Sequence, residues 1–258
     1  MLMSEKASHE NHLYNLVCMA ACNGEKYIDA QIKSILNQLN EDDRLFISID
    51  PSKDQTKEII DTFKKQDSRI FAFNGPGQGI QKNFEFLLSK AQVYLKKRRD
   101  YDPECLQKTL IYLCDQDDLW HKNKIPVVEK FFLQEPINLL VHDCDLIDEN
   151  GLMLEQSYFE LHRTKPGYLD NLVRNSYIGC CMIFRAELLE KILPFPQPIP
   201  MHDQWIGLKA RQYGRQKWLK EPLISYRRHG KNASDLTHSK LTQMIQWRFQ
   251  IIKALLQK

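Results

Sequence analysis

The sequence predicts an α/β protein whose central parallel sheet is covered by helices on both faces. Two observations carry that prediction. Short apolar runs alternate, through the first half of the chain, with segments whose apolar residues recur at helical spacing. Repeated strand–helix units of this kind build parallel sheets whose ligands sit beyond the carboxyl ends of the strands. One of the runs, "LIYLC" (Leu110 to Cys114), leads directly into "DQDD", three carboxylates in four residues, at the place where such a ligand would lie.

The elements follow in order. "NLVCMA" (Asn15 to Ala20) is the first strand, and after the turn "ACNGE" the residues Ile28, Ile32, Ile35 and Leu36 mark a helix. "RLFISI" (Arg44 to Ile49) is the second strand, followed by a helix carrying Ile59, Ile60 and Phe63. "RIFAF" is the third, with Phe84, Leu87, Leu88 and Ala91 on the next helix, and "LIYLC" is the fourth. The second half is less regular: "INLLVHDCDLIDENG" reads as a strand entering a turn, "GCCMIF" as a strand, and "RAELLEKIL" as a short helix stopped by Pro194. "HDQWIGLKARQYG" has the acidic start and glycine stop of a helix. "LISYRRHGKNAS" and a final amphipathic helix complete the chain, giving a main domain over residues 1–236 and a tail helix over 237–258.

With 258 residues, 43% hydrophobic and 27% charged, the chain can bury a full core. Its opening "MLMSEKASHENH" is polar, and no apolar stretch approaches the roughly 18–20 residues that span a bilayer, so a cytoplasmic protein is expected. Cysteines 18, 22, 105, 114, 144, 180 and 181 are odd in number and form no CxxC pair, which favours reduced, mostly buried thiols over disulfides or zinc. From Trp205 onward twelve lysines and arginines face only Glu221 and Asp235, whereas the preceding residues are net acidic. A basic tail suits a phosphate-bearing ligand or an anionic membrane surface, or is simply a solvated helix. No nucleic-acid partner is expected.

If the chain stays extended past Cys114, Asp115 and Asp117 point the same way and Gln116 the other. Two converging carboxylates repel, raising one pKa, unless a cation lies between them, and hard ions such as Mg²⁺ or Mn²⁺ take oxygen ligands and also bridge diphosphates. Asp118 is expected to cap the following helix. Spacing alone is weak, because "DCD" (Asp143 to Asp145) repeats it.

Several stretches together resemble the family 2 glycosyltransferases, enzymes of the α/β GT-A nucleotide-binding fold, which implies a mixed, mainly parallel central sheet flanked by helices. "MAACNGEKYIDAQIKSILNQ" looks like their first strand, loop and helix, and "GIQKNFEFLLSKA" like the segment before their metal-binding strand. "YLCDQDDLW" is similar to their Asp-x-Asp region, "MHDQW" to the motif bearing the catalytic base, and "YRRHGKNAS" to a closing loop. The combination of DQDD, Trp120 and YRxHxxN resembles the branch that includes rhamnosyltransferases and other surface-polysaccharide enzymes. One departure is notable: where the family usually has an Asp-Asp-Gly-Ser turn, this chain has Ile49, Asp50, Pro51 and Ser52. Only Asp50 could then read the nucleotide base, and an alternative is that Asp50 and Ser52 merely start a helix.

The resemblance implies a metal-dependent inverting glycosyltransferase. It would move rhamnose or another hexose from a nucleoside-diphosphate donor to a lipid-linked glycan acceptor in lipopolysaccharide, O-antigen or capsule synthesis. It implies donor contacts at Ala20, Ala21, Asn23, Asp50, Lys82, Asn83, Asp115, Arg227 and Arg228. Mn²⁺ or Mg²⁺ would be held by Asp117, Asp115 and His229. Asp203 would be the base, with His202 and Trp205 at the acceptor. Each has a plainer alternative: Asp203 as helix cap, Trp205 as core, and "YRRHGK" as a solvated turn. The tail helix, with Leu241, Met244, Ile245, Ile252, Leu255 and Leu256 mostly on one face, either docks on the protein's own core or touches the inner face of the cell membrane. A non-catalytic sugar-nucleotide binder and a nucleotidyltransferase are the rival functions, the latter disfavoured by the single glycine in "ACNGEKYI".

Overall fold

The computed structural model describes residues 12–229 and 241–257. The polar opening, the "GKNAS" part of the closing loop, the boundary between residues 236 and 237, Lys240 and Lys258 lie outside the described residues. The first half folds as its periodicity predicts. Strands β1 (Tyr14–Ala21), β2 (Arg44–Ile49), β3 (Ile70–Asn74) and β4 (Thr109–Asp115) pair in parallel in the order β3-β2-β1-β4. β1, β2 and β4 are buried almost throughout, as strands covered on both faces must be. Helices α1 (Ile28–Leu36), α2 (Thr56–Gln66) and α3 (Ile80–Arg99) connect them. α1 buries Ile28, Ile32 and Ile35, and α3 buries Phe84, Leu87, Leu88, Ala91 and Leu95, the stripes that the spacing indicated.

Register matters for function. Ala20 lies opposite Ser48 on one side and Asp115 on the other, so β1, β2 and β4 end at one level and their next residues form a common crevice. Gln31 of α1 donates to the Asp115 carbonyl at 3.0 Å, fixing the helix against the end of β4.

Past β4 the sheet becomes mixed. β8 (Met182–Arg185) runs antiparallel to β4 and to β6 (Ile137–Ile147), β9 (Arg215–Arg227) runs parallel to β6, and the two-residue β5 (Leu119–Trp120) closes the far side. β7 (Met153–Glu155) pairs with β6 through a turn. Between them lie α4 (Cys105–Lys108), α5 (Lys124–Gln134), α6 (Tyr158–Leu161), α7 (Tyr168–Val173), α8 (Leu189–Ile192), α9 (His202–Tyr213) and α10 (Leu241–Gln257). The "GCC" of the expected strand "GCCMIF" is a 3₁₀ turn, and β8 starts at Met182. β9 starts at Arg215, ahead of "LISYR", with Pro222 at a register shift where a missing N–H is tolerated.

Three expectations need correction. Asp118 caps no helix: α5 begins at Lys124 behind Asn123, with β5 in between, and the Asp118 carboxylate instead accepts the Arg227 N–H at 3.1 Å. Asp203 is not an N-cap either, because Met201 holds that position. The tail helix does dock on the core, but through Ile251, Ala254 and Leu255, with Met244 and Arg248 lining a cleft, while Ile245, Ile252 and Leu256 stay exposed. Positions 244, 248, 251 and 255 recur at steps of four, three and four, so they form one stripe that Ile245 and Ile252 flank. All seven cysteines are free, and only Cys22 is exposed.

The second acidic pair is structural. Asp143 accepts from the Cys144 and Phe159 N–H groups at 2.8 and 2.9 Å and from the Ser157 hydroxyl at 2.5 Å, and Asp145 meets His121 at 2.9 Å. No helix among the described residues is long and apolar enough to cross a membrane.

Candidate active site

A cleft of about 1570 Å³ opens beyond the carboxyl ends of β1, β2 and β4. It exceeds the roughly 300–1,000 Å³ of a site for one small ligand. Ala20, Ala21, Asn23, Asp50, Asn83, Asp115, Asp117, His202, Asp203, Arg228 and His229 all line it. Residues spread over most of the chain are thus brought together.

The loop after β1 and the DQDD run are one unit. Gln116, which lines the cleft together with Asp115 and Asp117, clamps Cys22, accepting its N–H at 2.7 Å and donating to its carbonyl at 2.7 Å. A side chain at Gly24 would overlap the Gln116 amide, which explains the glycine. Asn23 sits at φ 51°, a left-handed conformation that asparagine tolerates. Its N–H donates to the Ser52 hydroxyl at 3.0 Å and its Oδ1 accepts the Lys53 N–H at 2.9 Å. The turn after β2, the departure from Asp-Asp-Gly-Ser, is therefore held in place by the first loop. Asp50 reaches the cleft while accepting the Gly77 N–H at 2.9 Å.

The acidic group is strongly coupled to its surroundings. Burial, then the neighbouring Asp117 and Asp203 carboxylates, push the Asp115 pKa up. Burial followed by Asp117 and Asp115 does the same to Asp118, whose Oδ2 has no hydrogen-bond partner. Asp117 lies 2.7 Å from Nε2 of His229, both largely buried, and Tyr27 stacks on that imidazole with ring centroids 5.3 Å apart. Donor atoms of Asp115, Asp118 and Cys180 fall within 4.8 Å of one another. The two carboxylates of this group suit a hard divalent cation, the Cys180 thiol does not, and the paired Asp117 and His229 stand outside it.

On the other side of the cleft floor Asp203, in the first turn of α9, accepts the Gln204 N–H at 2.6 Å and the Asn175 amide at 3.0 Å. Burial outweighs these hydrogen bonds and raises its pKa to about 6. Adjacent His202 stacks on Phe84 with both ring nitrogens unpartnered, and burial lowers its pKa to about 4, so the ring is neutral near pH 7.

Residues 16–193 match the family model described as glycosyl transferase family 2. The chain belongs to glycosyl transferase family 2. Among curated relatives, the dTDP-rhamnosyl transferase RfbG of Shigella flexneri is 27% identical, over 83% of this chain and 72% of its own length. The putative teichuronic acid biosynthesis glycosyltransferase TuaG of Bacillus subtilis is 24% identical, over 77% of this chain and 74% of its own. Of solved structures, S. aureus TarS 1-349 in complex with UDP-GlcNAc superposes with a TM-score of 0.66 at 17% identity, covering 95% of this chain and 66% of that one. This likeness establishes the GT-A type fold. The chain spans 65–74% of the length of the curated relatives it matches.

Three residues assigned to the family 2 site by resemblance are not in the cleft. Trp205 is wholly buried, its indole N–H donating to the Ile192 carbonyl at 3.0 Å, so it is core and offers no face to an acceptor. Lys82 pairs with Glu85 at 2.7 Å along α3 and does not line the cleft. Arg227 turns away from the cleft, its guanidinium donating to the carbonyls of Asp117 and Asp148 at 2.9 and 3.1 Å. It braces the DQDD run against the turn after β6. Conversely, sequence reasoning missed Gln116 as a clamp, Tyr27 beneath His229, and Asn175 beside Asp203. Asn175 stands in "VRNSY", a stretch with no pattern that points to it.

Proposed function

We propose that this chain transfers a hexosyl group, with inversion, from a nucleoside-diphosphate sugar to a hydroxyl of a glycan acceptor during surface-polysaccharide synthesis. The observation that carries the reading is Asp203: a buried carboxylate with its pKa raised to about 6, lining the same cleft as Asp115, Asp117 and His229. A base poised near the working pH is what deprotonation of a sugar hydroxyl needs. As Asp203 takes the acceptor proton, the hydroxyl oxygen bonds to the sugar carbon opposite the leaving diphosphate, whose bond to that carbon breaks.

The donor's diphosphate belongs at the DQDD end. The paired Asp117 and His229 and the unpartnered Asp118 Oδ2 fit a divalent ion. Asp117 and His229 would hold Mn²⁺ or Mg²⁺, with Asp115 beside them. When bound, the ion would act as a Lewis acid toward the diphosphate. Arg228, also lining the cleft, is the candidate for phosphate oxygens.

Asp50 is the group in reach of the base, and an accepting carboxylate suits the N3–H shared by uracil and thymine. Similarity to a dTDP-rhamnosyl transferase supports a dTDP or UDP donor and makes rhamnose the first sugar to test. His202, with one ring donor and one acceptor unpartnered, is proposed to bind a substrate hydroxyl. The acceptor is proposed to be lipid-linked and presented at the inner face of the cell membrane.

The test is thermal stabilisation by UDP, dTDP and GDP, each with Mn²⁺, Mg²⁺ or chelator. UDP or dTDP should stabilise far more with the ion than without it. Asp117→Asn should abolish that difference and Asp145→Asn should leave it. Equal shifts with ion and with chelator would reject the metal assignment, and the absence of any nucleotide shift would reject the reading itself.

A further inference from the structure

On the side of Asp203 that Asn175 supports, the cleft wall changes character. Leu154, Leu161, Val173 and Trp247 line the cleft yet remain 52%, 50%, 59% and 38% exposed, which puts them at its mouth. They come from four separate elements, β7, α6, α7 and α10. Single exposed apolar residues are ordinary, but four converging on one rim form a patch that calls for a ligand. Arg174 and Arg248 line the same cleft, and Nε of Arg248 donates to the Val173 carbonyl at 3.0 Å, which seats the guanidinium beside the apolar rim. An alkyl chain ending in a phosphate matches both parts of this rim, the apolar side chains and the two guanidinium groups beside them.

We propose that this rim is an aglycone subsite: it takes the apolar chain of the acceptor, and Arg174 and Arg248 take the phosphate that joins chain to sugar. The assignment rests on the glycosyl-transfer reading for the name acceptor, but binding at the rim can be measured without turnover. Position relative to the base supports it. From Val173, which anchors Arg248, to Asn175, which holds Asp203, the chain passes through the extended Arg174 (φ −137°, ψ 114°). Two residues span at most about 7 Å. Arg174 and Arg248 are thus tied to the same segment that holds the base, so the tail helix would help to set which acceptors reach Asp203.

The experiment uses the full chain with saturating UDP and Mn²⁺ and calorimetric titration with monomeric dodecyl phosphate, hexyl phosphate and uncharged dodecyl glucoside. Each methylene removed from water is worth roughly a fourfold gain. Dodecyl phosphate should therefore bind once per chain and at least tenfold tighter than hexyl phosphate, and the glucoside should bind more weakly for want of charge. Trp247→Ser and Arg248→Gln should each weaken dodecyl phosphate at least fivefold with UDP affinity unchanged. Leu161→Ser, an exposed rim change that disturbs no buried contact of α10, should weaken it too. No saturable binding, affinity independent of chain length, or unaltered variants would overturn the subsite. So would binding to anionic vesicles without binding to the monomer, which would assign the rim to a membrane surface. If dodecyl phosphate binds as expected but UDP does not bind at all, the glycosyl-transfer reading fails and the amphiphile site stands.

Discussion

Replacing Asp203 by asparagine separates chemistry from architecture. Burial raises this carboxyl from 3.8 to about 6 in the folded protein. The folded state therefore holds an extra proton between those two values, and its stability falls as pH rises through that window. At about 1.4 kcal/mol per unit, the rise of roughly two units corresponds to about 3 kcal/mol of penalty for the ionised form at pH 7 and above. Asparagine is isosteric, can keep an oxygen toward the Gln204 N–H and the Asn175 amide, and never ionises. Asp203→Asn should thus match the parent in melting temperature near pH 4 and exceed it by several degrees at pH 8. Transfer should fall roughly 10²–10⁴-fold, while UDP affinity is unchanged because the nucleotide end of the cleft is built from other segments. The parent's kcat/KM should show an acid limb near pH 6 that the variant lacks. Melting curves at four pH values, nucleotide titration and a transfer assay on one preparation suffice. Near-parental turnover would refute the base assignment, and a variant less stable than the parent at pH 8 would refute the claim that burial strains this carboxylate.

The corrected residues yield further tests. Trp205→Ala should lower stability by roughly 3–5 kcal/mol, measured by denaturant unfolding, because it empties a fully buried site; Trp205→Phe, which keeps an aromatic face, should lower stability as well and leave acceptor KM unchanged. Gly207→Ala should destabilise the fold despite alanine's better helix propensity, since the new methyl would overlap the Tyr177 ring, which is hydrogen-bonded to Gln216 at 3.1 Å; a higher melting temperature would count against that packing. Arg228→Gln should raise donor KM, whereas Arg227→Gln should lower stability and kcat together, because it releases the DQDD run from the turn beyond β6.

The fold was legible where burial is two-sided. β1, β2 and β4 need apolar residues at every position, and the helices between them need a stripe, so strand and helix differ visibly in the sequence. The N-terminal half of β9 escaped because it reads "RQKWLKE". It pairs with β6 on one side, and β5 covers only Ile224 and Ser225 on the other. An edge of this kind favours lysines and half-exposed positions over an apolar run. The tail helix was foreseen, but its face was not, since its apolar residues outnumber those the core can accept and only packing selects Ile251 and Ala254.

The errors at the site share a geometric cause that the sequence already contained. Successive helical residues turn by about 100°, so Trp205 stands about 200° from Asp203 and cannot share its face. If Asp203 addresses the cleft, Trp205 must enter the core, as it does. The same turn separates Lys82 from Asn83, and only Asn83 lines the cleft. In extended chain the period is two: Tyr226 and Arg228 face the cleft, so Arg227 faces away and is available to brace DQDD from behind. The rule fails where the strand ends: residues 116 and 117 form a bend, so Gln116 lines the cleft beside Asp115 and Asp117 while its amide clamps Cys22. A motif fixes which neighbourhood reaches the ligand, while backbone periodicity fixes which member of it does. What periodicity cannot supply is a partner such as Asn175, which meets Asp203 only because the chain between α7 and β8 folds back against α9.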